Sequence, residues 1–470
     1  MKKVILCTLL LCCTYHFVHA QKEMNWWYFG SNAGLNFSQL QEVNGVVDMP
    51  TPITGPISTW EGCFSISDSD GNFILASDGS IVYNKAGTTM TNGTGLLGNN
   101  SAAQSGIVIP VPESPGMYYI VTVDYGSGTK GLNYSIVDLS KQGGLGEVTS
   151  TKNVSLLAGS VDENIASVRH KNNKDYWLIH QQGKNFYVWL LTKTEVSSPQ
   201  IYNFPIITPC GTSGESIASK LTFSPDNTKF ACCYYLCNAV CTGGFDRETG
   251  VISDVKYRTG LSWAYGAEFS ASGEYIYIGS LDYNTYKGKY ETLRDGGAMT
   301  PMGIRADNFQ IGPDKRIYGV ERSTRNLFVI MDPDDGGTDT KTFSNYLLAN
   351  AGIGLPTFMA SWLSMVVEGE NSFCINTEQS FTLTISGDGG QDQLSYTIWD
   401  FGDYEPDCII TDTNISTNTQ THNYTYKKPG TYTISVKSFD ENDNLLQEQS
   451  IEVIVSRCII PVNPNIHIYQ

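Results

Sequence analysis

The sequence predicts an all-β chain: a β-propeller of seven blades, with six as the alternative, followed by an immunoglobulin-like β-sandwich. Helix signals are scarce across 470 residues, while Gly, Asn, Thr, Ser and Tyr are abundant. A turn rich in Pro, Asp, Gly and Asn, followed by a short apolar strand, recurs between residues 60 and 320. The composition then shifts near VVEGENSFC (366–374), after which short strands alternate with period two.

The chain opens MKKVILCTLLLCCTYHFVHA. A basic start, a short apolar run and the small residues Val18 and Ala20 form a signal-peptide pattern over 1–20. The run is too short and wrongly flanked for a membrane span. Acylation at Cys12 or Cys13 lacks the usual small residue before the cysteine. The protein is therefore expected to be exported, to the cell surface, periplasm or medium, with no transmembrane segment. Net charge is −17. An acidic surface repels phosphate backbones, which argues against nucleic acid as a partner.

The repeated hairpins run in order SISDSDGNFILASDG (65–79), VPESPGMYYIVTVD (111–124), RHKNNKDYWLIHQQG (169–183), FSPDNTKFACCYY (223–235), FSASGEYIYIGS (269–280) and QIGPDKRIYGV (310–320). A four-stranded blade cannot bury both faces alone, and packing blades around an axis buries them. Trp26–Phe37 and residues 340–365 together are expected to close a seventh blade. Residues 24–365 then give about 49 residues per blade. The propeller is placed at 21–366, the sandwich at 367–457 and a proline-containing tail at 458–470. Strands are expected at 381–387, 394–403, 431–439 and 450–455.

Within the sandwich, Trp399-Asp400-Phe401-Gly402-Asp403, Tyr426 and Pro429-Gly430-Thr431-Tyr432 resemble the PKD domain, a module of extracellular proteins. Trp399 and Phe401 alternate with Asp400, so both rings should point inward. Gly402 and Asp403 turn the chain, Pro429 and Gly430 start the return strand, and Tyr432 packs inward. Tyr404 replaces a usual glycine and Tyr424 a usual histidine.

The first 365 residues resemble propeller-plus-PKD surface proteins of gliding, type IX-secreting bacteria. The motifs include Asn25-Trp26-Trp27-Tyr28-Phe29-Gly30, Glu61-Gly62-Cys63, Phe223-Ser224-Pro225-Asp226 and Gly354-Leu355-Pro356. Such proteins often end in a sorting domain, which is not read here. The resemblance implies an architecture and no catalytic residues.

Cys232, Cys233, Cys237 and Cys241 lie within ten positions. Adjacent Cys232 and Cys233 in a strand point to opposite faces, which disfavours one tetrahedral metal site. These cysteines act either as small hydrophobes or, at Cys237 or Cys241, in a cross-strand or local disulfide in an oxidising compartment, to each other or to a strand neighbour. No metal site and no cofactor is expected. Oxygen-rich SISDSDG (65–71), DPDDGG (332–337) and DENDN (440–444) leave calcium open, although such bunches also form turns.

His170 and His180 flank one hairpin, where they either face one another as a ligand pair or hold the blade by hydrogen bonds. Glu61, Glu163, Glu215 and Glu268 lie near blade edges. With the two histidines they form the catalytic set of an enzyme reading, a polysaccharide lyase or glycoside hydrolase. Aromatics offer a binding surface: Trp263 and Tyr265, and the loop-like run Tyr283, Tyr286 and Tyr290. The favoured expectation is a non-catalytic binding or adhesion protein. Its propeller loops present a site for a glycan or cell-surface protein, with the sandwich as spacer or second contact. A structural part of a surface machine is the third reading.

Overall fold

The computed structural model describes residues 22–68, 71–172, 174–204, 218, 220–282, 284–360, 364–386, 394–403, 405, 407–415, 419–439 and 445–457. The expected signal segment, Cys210, Glu215, Tyr283, the run 440–444 and the tail with Cys458 lie outside them. Among the described residues the chain is all-β with almost no helix, the one α-helix being Tyr290–Arg294.

Successive antiparallel sheets follow one another along the chain. The first has three strands, Trp26–Phe29, Ser31–Val43 and Val46–Ser58. The second has nine strands: Val154–Leu157, which pairs with Leu132–Asp138, and two four-stranded meanders. One begins at Phe64–Ser67 and ends at Thr89–Thr94; the other begins at Gly106–Pro110 and ends at Glu147–Val148. A single parallel pair, Glu147 with Thr91, joins them. The end strands Phe64–Ser67 and Gly106–Pro110 pack together, so this sheet nearly closes on itself. Four sheets of four strands follow, opening with Ala166–Arg169, Leu221–Phe223, Ala264–Phe269 and Asn308–Ile311.

Each repeated hairpin read from the sequence places its apolar run second in a meander: Phe73–Ser77, Met117–Val123, Tyr176–Gln182, Lys229–Tyr234, Tyr275–Ser280 and Ile317–Val320. All six turns close in one manner, the first with Asp68 N–H donating to Asn72 O. The last residue before the turn donates its N–H across to the strand start, as in Val111 to Met117, His170 to Asp175, Ser224 to Lys229, Ser270 to Tyr275 and Gly312 to Arg316.

Neighbouring sheets share their cores. Phe186 and Phe230 join the sheets opening at Ala166 and Leu221, with ring centroids 5.2 Å apart. Ala231 and Cys233 pack with Ile276 of the next sheet and with Tyr290 of the helix that follows its third strand. Tyr277 packs with Phe309 and Ile317 of the one after. The last of these sheets meets the first: Tyr318 lies edge-on to Trp27 at 5.7 Å and to Phe37 at 5.2 Å. Trp27 and Phe37 are fully buried, and burial of a large ring contributes about 1.5–3 kcal/mol.

Closure differs from the sequence expectation. Thr340–Phe343 pairs with Leu327–Ile330 and completes the preceding sheet. A tight turn on Asp332, whose carbonyl accepts the Gly337 N–H at 3.0 Å, sends the chain straight back. The later segment runs along the first sheet instead. Ser31 N–H donates to Asn350 O, Ile353 N–H to Trp60 O and Thr357 N–H to Cys63 O. Glycine is required where these segments pack. A Cβ on Gly354 would lie 2.2 Å from Glu61 O, and one on Gly62 would lie 2.2 Å from Ser105 N.

Residues from Ser364 form two further sheets. One holds Ser364–Glu368, Gln379–Ser386 and Thr419–Tyr424. The other holds Ser372–Cys374, Leu445–Ser456, Gly430–Phe439, Tyr396–Asp400 and Ile409–Asp412.

Candidate functional site

The first strands of consecutive sheets lie beside one another. The residues that lead into them therefore converge, although far apart in sequence. Glu61 precedes Phe64–Ser67, Gln104 precedes Gly106–Pro110, Glu163 precedes Ala166–Arg169, and Tyr265 sits at the start of Ala264–Phe269. Gln104 stitches three sheets: its Oε1 accepts from Ile165 N at 3.1 Å and Leu221 N at 2.8 Å.

Two carboxylates meet here. Glu163 is buried, and its oxygens accept the N–H of Ala103 at 2.9 Å and of Gly126 at 2.7 Å. Glu61 is half-buried and accepts the Tyr265 hydroxyl at 2.8 Å. Burial pushes Glu163 up to about 7, with Glu61 and Asp162 adding repulsion and the two amide donors opposing. Burial also raises Glu61, against hydrogen bonds from Tyr265 and Ser101. Tyr265 is held far above the usual phenol range by burial and by both carboxylates.

Three aromatic side chains are exposed among the described residues: Trp60, Tyr125 and Trp263. Each is tied to the carboxylate pair through the chain. Trp60 precedes Glu61. Tyr125 precedes Gly126, which donates to Glu163. Trp263 stands two residues before Tyr265 and packs on the half-buried Tyr235, ring centroids 6.0 Å apart. Tyr235 in turn packs on Tyr265 at 6.1 Å. Trp263 has φ 47°, a left-handed conformation uncommon for a bulky residue. Its N–H donates to Asn238 Oδ1 at 2.8 Å, which holds it there.

The structure thus joins Glu61, Glu163, Trp263 and Tyr265, which the sequence assigned to competing readings. Trp60 and Tyr125 escape sequence reasoning; the signal available was a tryptophan beside Glu61-Gly62 with no core period to absorb it. Other candidates part company. Glu268 is buried in an ion pair with Lys220 at 2.7 Å, whose ammonium also donates to Phe309 O and Gln310 Oε1. Glu215 and Tyr283 lie outside the described residues. Tyr286 and Tyr290 are not in a loop: Tyr286 opens the strand Tyr286–Lys289 and Tyr290 the helix Tyr290–Arg294. Tyr290 is buried and donates to the carbonyls of Phe230 and Gly243 at 3.0 Å, so it holds neighbouring sheets.

His170 and His180 do not face one another. Arg169 pairs with Tyr176 and Ala166 with Ile179, which puts His170 at the turn and His180 at the open end of the hairpin. His170 stacks on Trp177 at 5.2 Å. His180 is fully buried with Nδ1 2.7 Å from Asn164 O, and burial lowers its pKa.

The cysteines separate too. Cys232 belongs to the core shared with the preceding sheet, and Cys233 to the core shared with the next. Cys241 lies directly opposite Cys232 in the strand pair, and both are fully buried. Cys241 is a free thiol, so the expected bridge does not run between Cys237 and Cys241; Cys237 ends the 3₁₀ turn Tyr235–Cys237. Cys237 is not among the free thiols.

Of the oxygen-rich stretches, Asp332 spends its carboxylate on the turn, accepting from Thr338 and Asp339 N–H at 3.1 and 2.9 Å. Asp68 accepts from Asn72 N–H at 2.7 Å. No group of three or more metal-ligating side chains occurs among the described residues. A groove of about 660 Å³ lies away from the carboxylates, between the first sheet and the next, and includes Trp26, Tyr28, Phe73 and Lys85 in its lining.

In the C-terminal sheets, Trp399 and Phe401 are fully buried, as their alternation with Asp400 requires. Tyr426 donates to Phe401 O at 2.8 Å. Tyr424 stacks on Phe401 at 4.3 Å and donates to Asp403 at 2.7 Å. Tyr432 is half-buried against Tyr426 at 4.4 Å, and Gly430 opens the strand Gly430–Phe439.

No curated protein matches the chain. Among solved structures, a protein from Lactobacillus plantarum is similar over 72% of this chain and 88% of its own, at 12% identity and a TM-score of 0.38. A functionally unknown protein from Desulfotomaculum acetoxidans is similar over 59% of this chain and 88% of its own, at 10% identity and a TM-score of 0.34. The PKD domain of an M14-like peptidase from a Thermoplasmatales archaeon is similar over 20% of this chain and 93% of its own, at 20% identity and a TM-score of 0.17. Residues 363–453 match the family model of the PKD domain, and this part of the chain is a PKD domain.

Proposed function

We propose that this is an exported binding or adhesion protein whose N-terminal region is a seven-bladed propeller with a ligand site at one mouth of its axis. The shared cores of successive sheets, closed by Tyr318 on Trp27, support the propeller. Counting the two meanders of the nine-stranded sheet as two blades gives seven. The PKD domain supports an extracellular adhesion-type role. Among the described residues no helix is long and apolar enough to cross a membrane. Kinship with surface proteins of gliding bacteria rests on the sequence motifs alone.

One observation carries the site: the exposed aromatics of the described chain all flank the Glu61–Glu163–Tyr265 group. Broad rings in water beside hydrogen-bonding groups suit a ligand with an apolar face and polar edges. That describes a glycan, with the PKD domain as spacer or second contact. The test is a glycan array with the intact chain and with Trp60→Ala and Trp263→Ala. The wild type should bind a defined glycan set and both variants should lose it. Equal binding by the variants would move the site elsewhere.

The raised pKa of Glu163 beside Glu61 favours a second reading, general acid–base cleavage of that glycan. New reducing or unsaturated ends, absent with Glu163→Gln, would establish it; an intact bound glycan leaves the binding role alone.

A further inference from the structure

We infer that the rim takes a glycan bearing a free amine: the ammonium of an amino sugar seats on Glu61 and Glu163 while its ring lies against Trp60, Tyr125 or Trp263. This rests on reading the mouth as the ligand site.

The hydrogen-bond donors to the pair are neutral: the Tyr265 hydroxyl, Ser101, and the amides of Ala103 and Gly126. The charges acting on Glu163 come from Glu61 and Asp162, and both are negative. Two carboxylates that repel one another in a buried setting retain a proton or acquire a cation. An ammonium answers both features at once. It cancels the like-charge repulsion, and its charge is attracted by the faces of exposed rings. A neutral sugar would use only the rings, and an anionic one would add to the repulsion. The net charge of −17 draws cations toward the surface as well.

The rim is also set in advance. Trp263 is held by Asn238, and Tyr235 is braced between Trp263 and Tyr265. A fixed rim loses little freedom on binding. Three separate broad rings suit the faces of linked sugars, whereas a lysine side chain would use a single cage. Seating the ammonium ionises the pair, so a proton should leave as the ligand enters.

The test uses the intact chain and three probes: the glucosamine hexamer, its fully N-acetylated counterpart and a lysine hexapeptide. Each is titrated calorimetrically at about pH 6.5 in two buffers of different ionisation heat. The amine hexamer should bind at least about tenfold more tightly than the acetylated one, with net proton release. Glu163→Gln and Glu61→Gln, checked for folding by circular dichroism, should lose that preference and the release. Trp60→Ala and Trp263→Ala, at exposed positions, should weaken the amine hexamer.

Equal or tighter binding of the acetylated hexamer, still dependent on Trp263, overturns the amine and leaves the site. Binding of the lysine peptide as tight as the sugar overturns the glycan. No binding of either sugar overturns the inference. Amine binding indifferent to both tryptophans overturns the site itself.

Discussion

Burial raises Glu163 from 4.5 to about 7, and this shift has a sign for stability. Below 4.5 both the folded and unfolded chains hold the proton. As pH rises toward 7 the unfolded chain releases it first, so the folded state loses ground, by at most about 3 kcal/mol once both forms are ionised. Glu163→Gln cannot titrate. Urea unfolding at both ends of this window should show the variant gaining on the wild type as pH rises; a pH-independent offset would contradict the shift. The thiols make a second case. Cys63, Cys232, Cys233, Cys241 and Cys408 are buried, and burial pushes Cys233 and Cys241 up to about 12. They should resist alkylation in the native protein and react only in denaturant. Cys374, like Cys237, is not among the free thiols, and both should remain unlabelled in denaturant until a reductant is added. Labelling of Cys237 without reductant would rule out a disulfide there.

At the scale of elements, the contact between residues 59–63 and 350–357 fixes the backbone that carries Glu61. The Gly354 Cα faces Glu61 O so closely that a Cβ would lie 2.2 Å away. Gly354→Ala must push the two segments apart, and it should cost more than about 2 kcal/mol. Hydrogen exchange should speed up at the Ile353 and Thr357 amides, which bond to Trp60 O and Cys63 O, before it does so in Lys229–Tyr234. Unchanged exchange at both amides would sink this account. The sequence motifs Glu61-Gly62-Cys63 and Gly354-Leu355-Pro356 were visible separately, and their meeting was not. The hairpins were legible because turn chemistry and strand alternation act over a dozen residues. Tyr286 and Tyr290 misled because Gly288 and the lysines between them imitate a loop, whereas Tyr290 is paired to carbonyls from another sheet.

Across the whole molecule the same limit of range explains the site. Glu61 and Tyr265 are joined by a hydrogen bond over 204 residues, and Glu163 receives the Ala103 N–H over 60. No local pattern encodes such a pairing; it follows only when successive sheets bring their first strands side by side. The PKD domain was legible for the opposite reason, since Trp399, Phe401, Tyr426 and Tyr432 lie in one short stretch and pack on one another. The two regions also have separate cores: no residue of the C-terminal cluster around Trp399 is shared with the clusters built on Trp27 or Phe230. Separate cores predict separate unfolding. Calorimetry of the intact chain should resolve two transitions. Tyr424→Phe removes one partly buried hydrogen bond, to Asp403, and should lower only the PKD transition, by about 1 kcal/mol. Gly354→Ala should lower only the other. A single transition moved by both substitutions would mean that the two cores unfold as one cooperative unit.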